Sequence, residues 1–271
     1  MATASTMTNT TDVAPVSTAD LPWVLARINH ELFAFNSRFV REMVSVPKVT
    51  AVPNAPPHVR GVINLRDKAL TLVDLRVRLG FNSLADSSHL LEDLMKQREQ
   101  DHLRWVAELK ASVRERRAFT LTTDPHACAF GKWYDRFKTD NLLLTGVLRR
   151  FDHPHKQLHG TGRRIVDEMA RQQWQTCEAL LSELENSTLK TMVALFAETR
   201  EVLHDTSHEV AMVMATTTPF AVAVDAIEAV ERLTPIAPDE DQLTAATACV
   251  DAIALRPGGG LVLTIRHEQL L

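Results

Sequence analysis
The sequence predicts an α+β protein of more than one domain, in which a β domain is split by an inserted all-α helical bundle. Three observations point there. Turn-punctuated apolar runs fill residues 21–83, a glycine-poor pattern of apolar residues three and four apart fills 84–206, and strand-like texture returns over 207–271. Each β segment is about sixty residues, small for a separate domain, whereas the two together make one of ordinary size. Such an insertion requires the chain to leave and re-enter through one surface loop.

Composition sets the outer bounds. The chain has 271 residues, 45% hydrophobic and 24% charged, enough to bury real cores. A net charge of -4 supplies no basic field to draw nucleic acid or an anionic membrane surface, so neither is expected as a partner. No run approaches the eighteen apolar residues of a membrane span, and direct membrane insertion is not expected. Cys128, Cys177 and Cys249 are odd in number and widely spaced, which argues against a disulfide framework and for a reducing, cytoplasmic setting.

Along the chain, residues 1–20 are small and polar, without the basic start and apolar run of a signal peptide, and read as a disordered tail. "WVLARI" and "LFAF" flank Asn29 and His30, a hairpin turn, and prolines recur at Pro47, Pro53, Pro56 and Pro57. "GVINLRDKALTLVDLRVRLG" holds two alternating apolar runs broken at Arg66 to Lys68. The helical interval has room for four long helices of twenty or more residues, with Leu90, Leu91 and Leu94, then Leu180, Leu181 and Leu184, marking apolar faces. Asp86 or Ser87 is placed to cap the first helix, and Asp124 with Pro125 stands where another begins, just ahead of Cys128. "EVAMVMA", "TPFAVAVDAIEAVERL" and "GGGLVLTIRHEQLL" return to strands.

The chemistry-bearing residues lie in the insert. In "FDHPHKQLHG" two histidines, His155 and His159, are four apart, which puts both imidazoles on one helix face. His102 and Cys128 on two other elements complete a set of three nitrogens and one sulfur, a tetrahedral zinc donor set attainable in a bundle core. Calcium and magnesium would want oxygen ligands. A lone histidine on a helix is more often solvated or hydrogen-bonded than ligating, so the weight rests on the combination. With four protein ligands no position is left for an activated water, and "HKQLH" lacks the glutamate of H-E-x-x-H, so a metalloenzyme ranks below a structural or sensing site. His126 and His153 fall off the ligand face, while Trp105, Gly131, Trp133 and Cys177 read as packing.

The β segments, through "RGVINLR" (Arg60 to Arg66), "VDLR" (Val73 to Arg76) and "TPFAVAVDAIEAVERL", resemble the CheW-like domain of bacterial chemotaxis adaptors. That resemblance implies a pair of small β-barrel subdomains and a noncatalytic adaptor linking chemoreceptor signalling tips to the histidine kinase CheA, with Asn64, Leu65 and Arg66 in the partner-binding region. The departure is Asp67, where the family usually has glycine, a residue chosen for positive φ. The insert resembles the chemoreceptor zinc-binding (CZB) domain, whose pattern of a histidine ahead of an aromatic, then C-x-x-G-x-W, then H-x-x-x-H, is carried by His102 to Trp105, Cys128 to Trp133, and His155 to His159. It implies one zinc per chain, sensing of zinc or oxidants with Cys128 as redox switch, and a homodimer through the helical domain. A metal-held thiolate is the oxidisable form of cysteine, which agrees with that role. The alternative is a constitutive scaffold whose zinc is structural or supports dimerisation.

Overall fold
The computed structural model describes residues 21–236 and 249–271; the expected tail at 1–20 lies outside them. The chain divides into two compact units, one from the described residues of Met1–Gly80 and Val210–Leu271 and the other Phe81–Glu209.

Among the described residues the first unit has twelve strands: β1 (Trp23–Ile28), β2 (Glu31–Asn36), β3 (Val40–Ser45), β4 (Val49–Thr50), β5 (Val59–Leu65), β6 (Lys68–Asp74), β7 (Val210–Met214), β8 (Phe220–Val224), β9 (Ala226–Glu231), β10 (Thr234–Ile236), β11 (Val250–Leu255) and β12 (Leu261–Ile265). They form two six-stranded sheets ordered β10-β11-β12-β2-β1-β9 and β3-β7-β8-β6-β5-β4. Both sheets mix strands from before and after the helical unit. Parallel pairings of β6 with β8 and of β12 with β2 stitch the two segments together, so neither segment completes a sheet alone. The strand β8, "FAVAV", is buried at every position, as expected of a central strand covered on both faces.

Turn chemistry follows the residues. Asn29 takes positive φ (58°) in the β1–β2 hairpin, and its backbone N–H donates to Asp225 Oδ2 at 2.7 Å. The β5–β6 hairpin turns on Arg66 and Asp67 alone, with φ of 50° and 62°, so both residues occupy the left-handed region of a two-residue turn. Lys68 belongs to β6 and not to the turn. Gly61, inside the motif stretch, has φ of 142°, and a Cβ there would lie 2.1 Å from the Thr50 carbonyl oxygen. Only glycine lets β4 run against β5 at that point.

A short helix, α1 (Leu75–Arg78), leads out of β6, capped by Asp74, whose side chain accepts from the Val77 N–H. Around it lies a buried charge cluster. Arg76 Nη1 meets Asp225 Oδ2 at 2.5 Å and Arg60 Nη1 stands 3.8 Å from Asp74 Oδ2. Burial raises the Asp225 pKa above its ordinary value, opposed by the Asn29 N–H and by Arg76.

The second unit contains α2 (Leu84–Glu115), α3 (Ala129–Tyr134), α4 (Leu142–Arg149), α5 (Asp152–Ala170), α6 (Trp174–Glu183) and α7 (Lys190–Thr206), with a π-helical stretch, Leu184–Leu189, joining the last two into one continuous rod. The expectation of four long helices is thereby corrected to two very long ones, one of 19 residues, and two short pieces of 6 and 8 residues. The caps differ as well. Ser83, not Asp86 or Ser87, caps α2, its hydroxyl accepting from the Asp86 N–H at 3.0 Å. The Asp124–Pro125 stretch is a turn, Ala127 N–H to Asp124 O, and Cys128 itself caps α3. Leu90, counted to the apolar face, is exposed. The core gathers Met95, Leu109, Phe130, Phe151, Leu158, Ile165, Cys177, Met192 and Phe196 into one cluster; each buried Leu, Ile, Met or Phe side chain contributes about 1.5–3 kcal/mol.

Candidate metal centre
Three elements deliver four donors to one place. His102 is on α2, and its Nδ1 lies 2.7 Å from the Arg98 carbonyl oxygen one turn earlier, an arrangement that makes Nδ1 the protonated nitrogen and leaves Nε2 as a lone-pair donor. His155 and His159 are on α5. That helix starts with Asp152, whose charge suits the helix N-terminus, and carries Pro154 in its first turn, where a missing N–H costs nothing. Cys128 is delivered by the turn before α3: its Sγ accepts from the Gly131 N–H at 3.2 Å and lies 3.3 Å from the Pro125 carbonyl oxygen. Gly131 makes that turn possible, because a Cβ there would stand 1.8 Å from the Pro125 carbonyl oxygen.

The four ligand atoms of His102, Cys128, His155 and His159 all lie within 4.8 Å of one another. Zinc bonds of about 2.0–2.3 Å set tetrahedral ligand atoms about 3.3–3.7 Å apart, so the four donors stand around one point and would draw in by up to about 1 Å to close on a single ion. Cys128 Sγ and His155 Nε2 are 3.2 Å apart. The three imidazoles are buried, and Cys128 is half-buried.

Electrostatics and hydrogen bonding both suit a cation. Burial, with the neighbouring His102 and His159 next, holds the His155 pKa down at about 3; burial and His102 hold His159 at about 4; burial likewise lowers His102. All three are neutral imidazoles at physiological pH, the ligating form. The Cys128 thiol is raised by burial, partly offset by the Gly131 and Phe130 N–H groups, so a cation is what its thiolate lacks. His102 Nε2 and both His159 nitrogens are buried without a hydrogen-bond partner. The Thr122 carbonyl is near enough to oppose the fall in the His159 pKa, although no His159 hydrogen bond has ordinary geometry. Unpaired buried nitrogens cost about 1–3 kcal/mol each, and a metal ion would satisfy two of them. The residues therefore fit zinc: His102, Cys128, His155 and His159 would hold it.

The remaining sequence expectations fall as follows. His126 is exposed and paired with Asp135 at 2.9 Å, and His153 is exposed, so neither reaches the cluster. Trp105 and Gly131 are buried, Trp133 packs against the core partly buried, and Cys177 is buried with its Sγ 3.7 Å from the Ile165 carbonyl oxygen. Asn64, Leu65 and Arg66 lie at the tip of the β5–β6 hairpin, Asn64 and Arg66 exposed, and Arg66 pairs with Glu42 of β3 at 2.8 Å. The signal missed in the sequence is Gly162: it faces the Trp105 ring, and only the i, i+3 spacing from His159 hinted that it shares that face.

Residues 22–97 match the model of the CheW-like domain, and residues 102–166 match that of the chemoreceptor zinc-binding domain. The "Probable chemotaxis protein CheW" of Rhizobium etli is 37% identical over 68 residues, 25% of this chain and 44% of that protein. The "Chemotaxis protein CheW" of Rhizobium meliloti is 40% identical over 57 residues, 21% of this chain and 37% of that protein. The chain thus spans less than half the length of these curated relatives. The crystal structure of scaffolding protein TtCheW from Thermoanaerobacter tengcongensis aligns with a TM-score of 0.40 at 13% identity, over 91% of this chain and 88% of that one. The chain carries a CheW-like domain followed by a chemoreceptor zinc-binding domain.

Proposed function
We propose that this protein is a cytoplasmic chemotaxis adaptor that links chemoreceptor signalling tips to a CheA-type histidine kinase, and that its helical unit senses zinc or oxidants. The observation that carries the sensing half is the convergence of His102, Cys128, His155 and His159 within 4.8 Å in a buried pocket with unpaired nitrogens. The adaptor half is supported by the CheW-like match and by the exposed hairpin tip bearing Asn64 and Arg66, with half-buried Leu65 between them. No residue set of an enzyme is part of this reading.

When bound, one zinc per chain would hold Cys128 as a thiolate. The protein residues do the rest: Arg98 O fixes the His102 tautomer, the α5 spacing aims His155 and His159 together, and the Gly131 N–H supports the Cys128 sulfur. A two-electron oxidant of the peroxide or hypochlorite class that reaches half-buried Cys128 would pass an oxygen to its sulfur: the S–O bond of a sulfenic acid forms from a sulfur electron pair as the O–O or Cl–O bond breaks, and water or chloride leaves as the reduced product. The oxidised sulfur would be a poor donor, so His102, His155 and His159 alone would remain to hold the ion and the turn before α3 would lose its tie to α2 and α5. The helical unit is joined to the β unit by two short connections, 81–83 and 207–209, so a change in α2 or α7 reaches both β segments through the chain itself. Leu142 (84% exposed) and Leu143 offer apolar surface for a second copy of the helical unit, and pairing is read by light scattering.

The test is metal content per chain in wild type, His155→Ala and Cys128→Ser, together with kinase binding before and after a mild oxidant. One zinc in the wild type, lost from both variants, and a changed kinase affinity after oxidation in the wild type alone are expected. No zinc in the wild type overturns the site. Zinc release with unchanged kinase binding overturns the coupling.

A further inference from the structure
Trp105 is the residue on which the parts of the metal centre meet, and filling space does not account for its contacts. It lies three residues after His102 on α2 and is buried. Its indole Nε1–H donates to the Thr122 carbonyl oxygen at 2.9 Å, and its ring packs edge-on to Phe119 with centroids 5.3 Å apart. Both partners belong to the segment that runs from α2 to Cys128. The other side of the ring faces α5: its centroid is 5.0 Å from that of His159, and a Cβ on Gly162 would lie 2.2 Å from the indole Cη2. One side chain therefore spans the helix carrying His102, the helix carrying His155 and His159, and the segment delivering Cys128.

The indole that holds the Thr122 carbonyl is the same ring that packs against His159, so carbonyl and imidazole meet on one side chain. A metal-ligating imidazole ordinarily donates its other N–H to a carbonyl or carboxylate, which sets the ring's orientation. His102 has such a partner in Arg98 O; for His159 the carbonyl at hand is that of Thr122, itself held by the indole. We propose that Trp105 is a positioning residue of the metal centre, whose indole N–H fixes the Thr122 carbonyl beside His159 and pins the segment that brings Cys128 to the other ligands. It touches no metal itself. The inference rests on the reading that the four residues hold zinc.

The experiment uses the full chain as wild type, Trp105→Phe and Gly162→Ala, measured where the far-UV circular dichroism of each is native. Zinc affinity is read by competition with a chromophoric chelator, and ligand geometry by the visible bands of the cobalt(II)-loaded protein. Phenylalanine fills much of the space without the N–H, so a packing role predicts wild-type affinity and wild-type bands. The positioning role predicts zinc binding weaker by about 10–100-fold, the usual cost of losing an outer partner, with shifted cobalt bands. Gly162→Ala keeps the N–H but forces the ring aside, and the same direction is expected; if Trp105→Phe does not fold, wild-type affinity and bands in Gly162→Ala overturn the proposal. A wild type that binds zinc beside unaffected variants removes this inference alone, whereas a wild type that binds neither metal removes the zinc reading and this inference with it.

Discussion
The two units bury polar groups in opposite ways. In the β unit a charged cluster sets buried Asp74 and Arg76 beside half-buried Asp225 and Arg60, two acids and two bases, with Arg76 and Asp225 at 2.5 Å. In the helical unit the corresponding cluster is His102, His155 and His159, all neutral and all electron-pair donors, beside a thiol. The first cluster is balanced by its own residues. In the second, His102 Nε2 and both His159 nitrogens have no hydrogen-bond partner, an arrangement that suits completion by a cation from outside the chain. A cluster that carries its own counter-charge suits a structural clamp; one with unpaired donor nitrogens suits a cation.

The largest expected effect comes from removing zinc. At a thousandfold excess over the dissociation constant a ligand stabilises its site by about 4 kcal/mol, so chelation should speed amide exchange throughout α2, α5 and α7 while leaving β5, β6 and β8 unchanged. Equal loosening of both units would erase the contrast. Next, Arg76→Met should leave Asp225 buried without its partner and destabilise the β unit by about 3–5 kcal/mol, with metal content unaltered. His155→Ala should do the reverse, abolishing zinc uptake while leaving the β unit's denaturation midpoint in place. Wild-type stability in the Arg76→Met variant would mean the β cluster is not a clamp.

A smaller, sign-dependent effect separates the units by pH. In metal-free protein the folded pKa values of His155, about 3, and His159, about 4, lie below the ordinary 6.5. The unfolded chain takes up these protons first, so their contribution is intact above pH 6.5 and is lost as pH falls from there towards 3. Asp225 is displaced upward from 3.8 by burial, so the folded state binds that proton more readily and acid favours the fold at this one residue. Acid titration followed by segment-resolved hydrogen exchange should therefore show the helical unit opening first below pH 6.5. The smallest change expected is at the hairpin tip, where Asp67→Gly relieves a left-handed residue at φ 62° and should raise β-unit stability by about 0.5–1 kcal/mol, measured by urea denaturation.

Much of this was legible in the residues. The turn-bounded apolar runs "WVLARI" and "FAVAV" announced strands, the three-and-four spacing announced helices, and the His155–His159 interval put two imidazoles on one face, because these are local consequences of period and side-chain type. Helix lengths and starts were not legible. Ser83 won the cap of α2 over Asp86 and Ser87, and Cys128 capped α3 in place of Asp124, because a cap is decided by where tertiary packing stops the helix and several nearby polar residues qualify. Gly61, Gly131 and Gly162 looked alike in the sequence as residues without side chains. Only the folded chain showed Thr50, Pro125 and Trp105 pressed against them.

By itself the sequence determined the order of the two textures, the kinds of donor atom available and the face on which one pair of them sits. The tertiary structure decided that strands from both sides of the helical unit share two sheets, that four donors from three elements close to within 4.8 Å, and that Asp225 rather than another acid meets Arg76. The reason is physical: periodicity and propensity act over a few residues, whereas sheet order, convergence of ligands and charge pairing join residues tens to well over a hundred positions apart, and are chosen only when the whole chain buries its apolar surface at once.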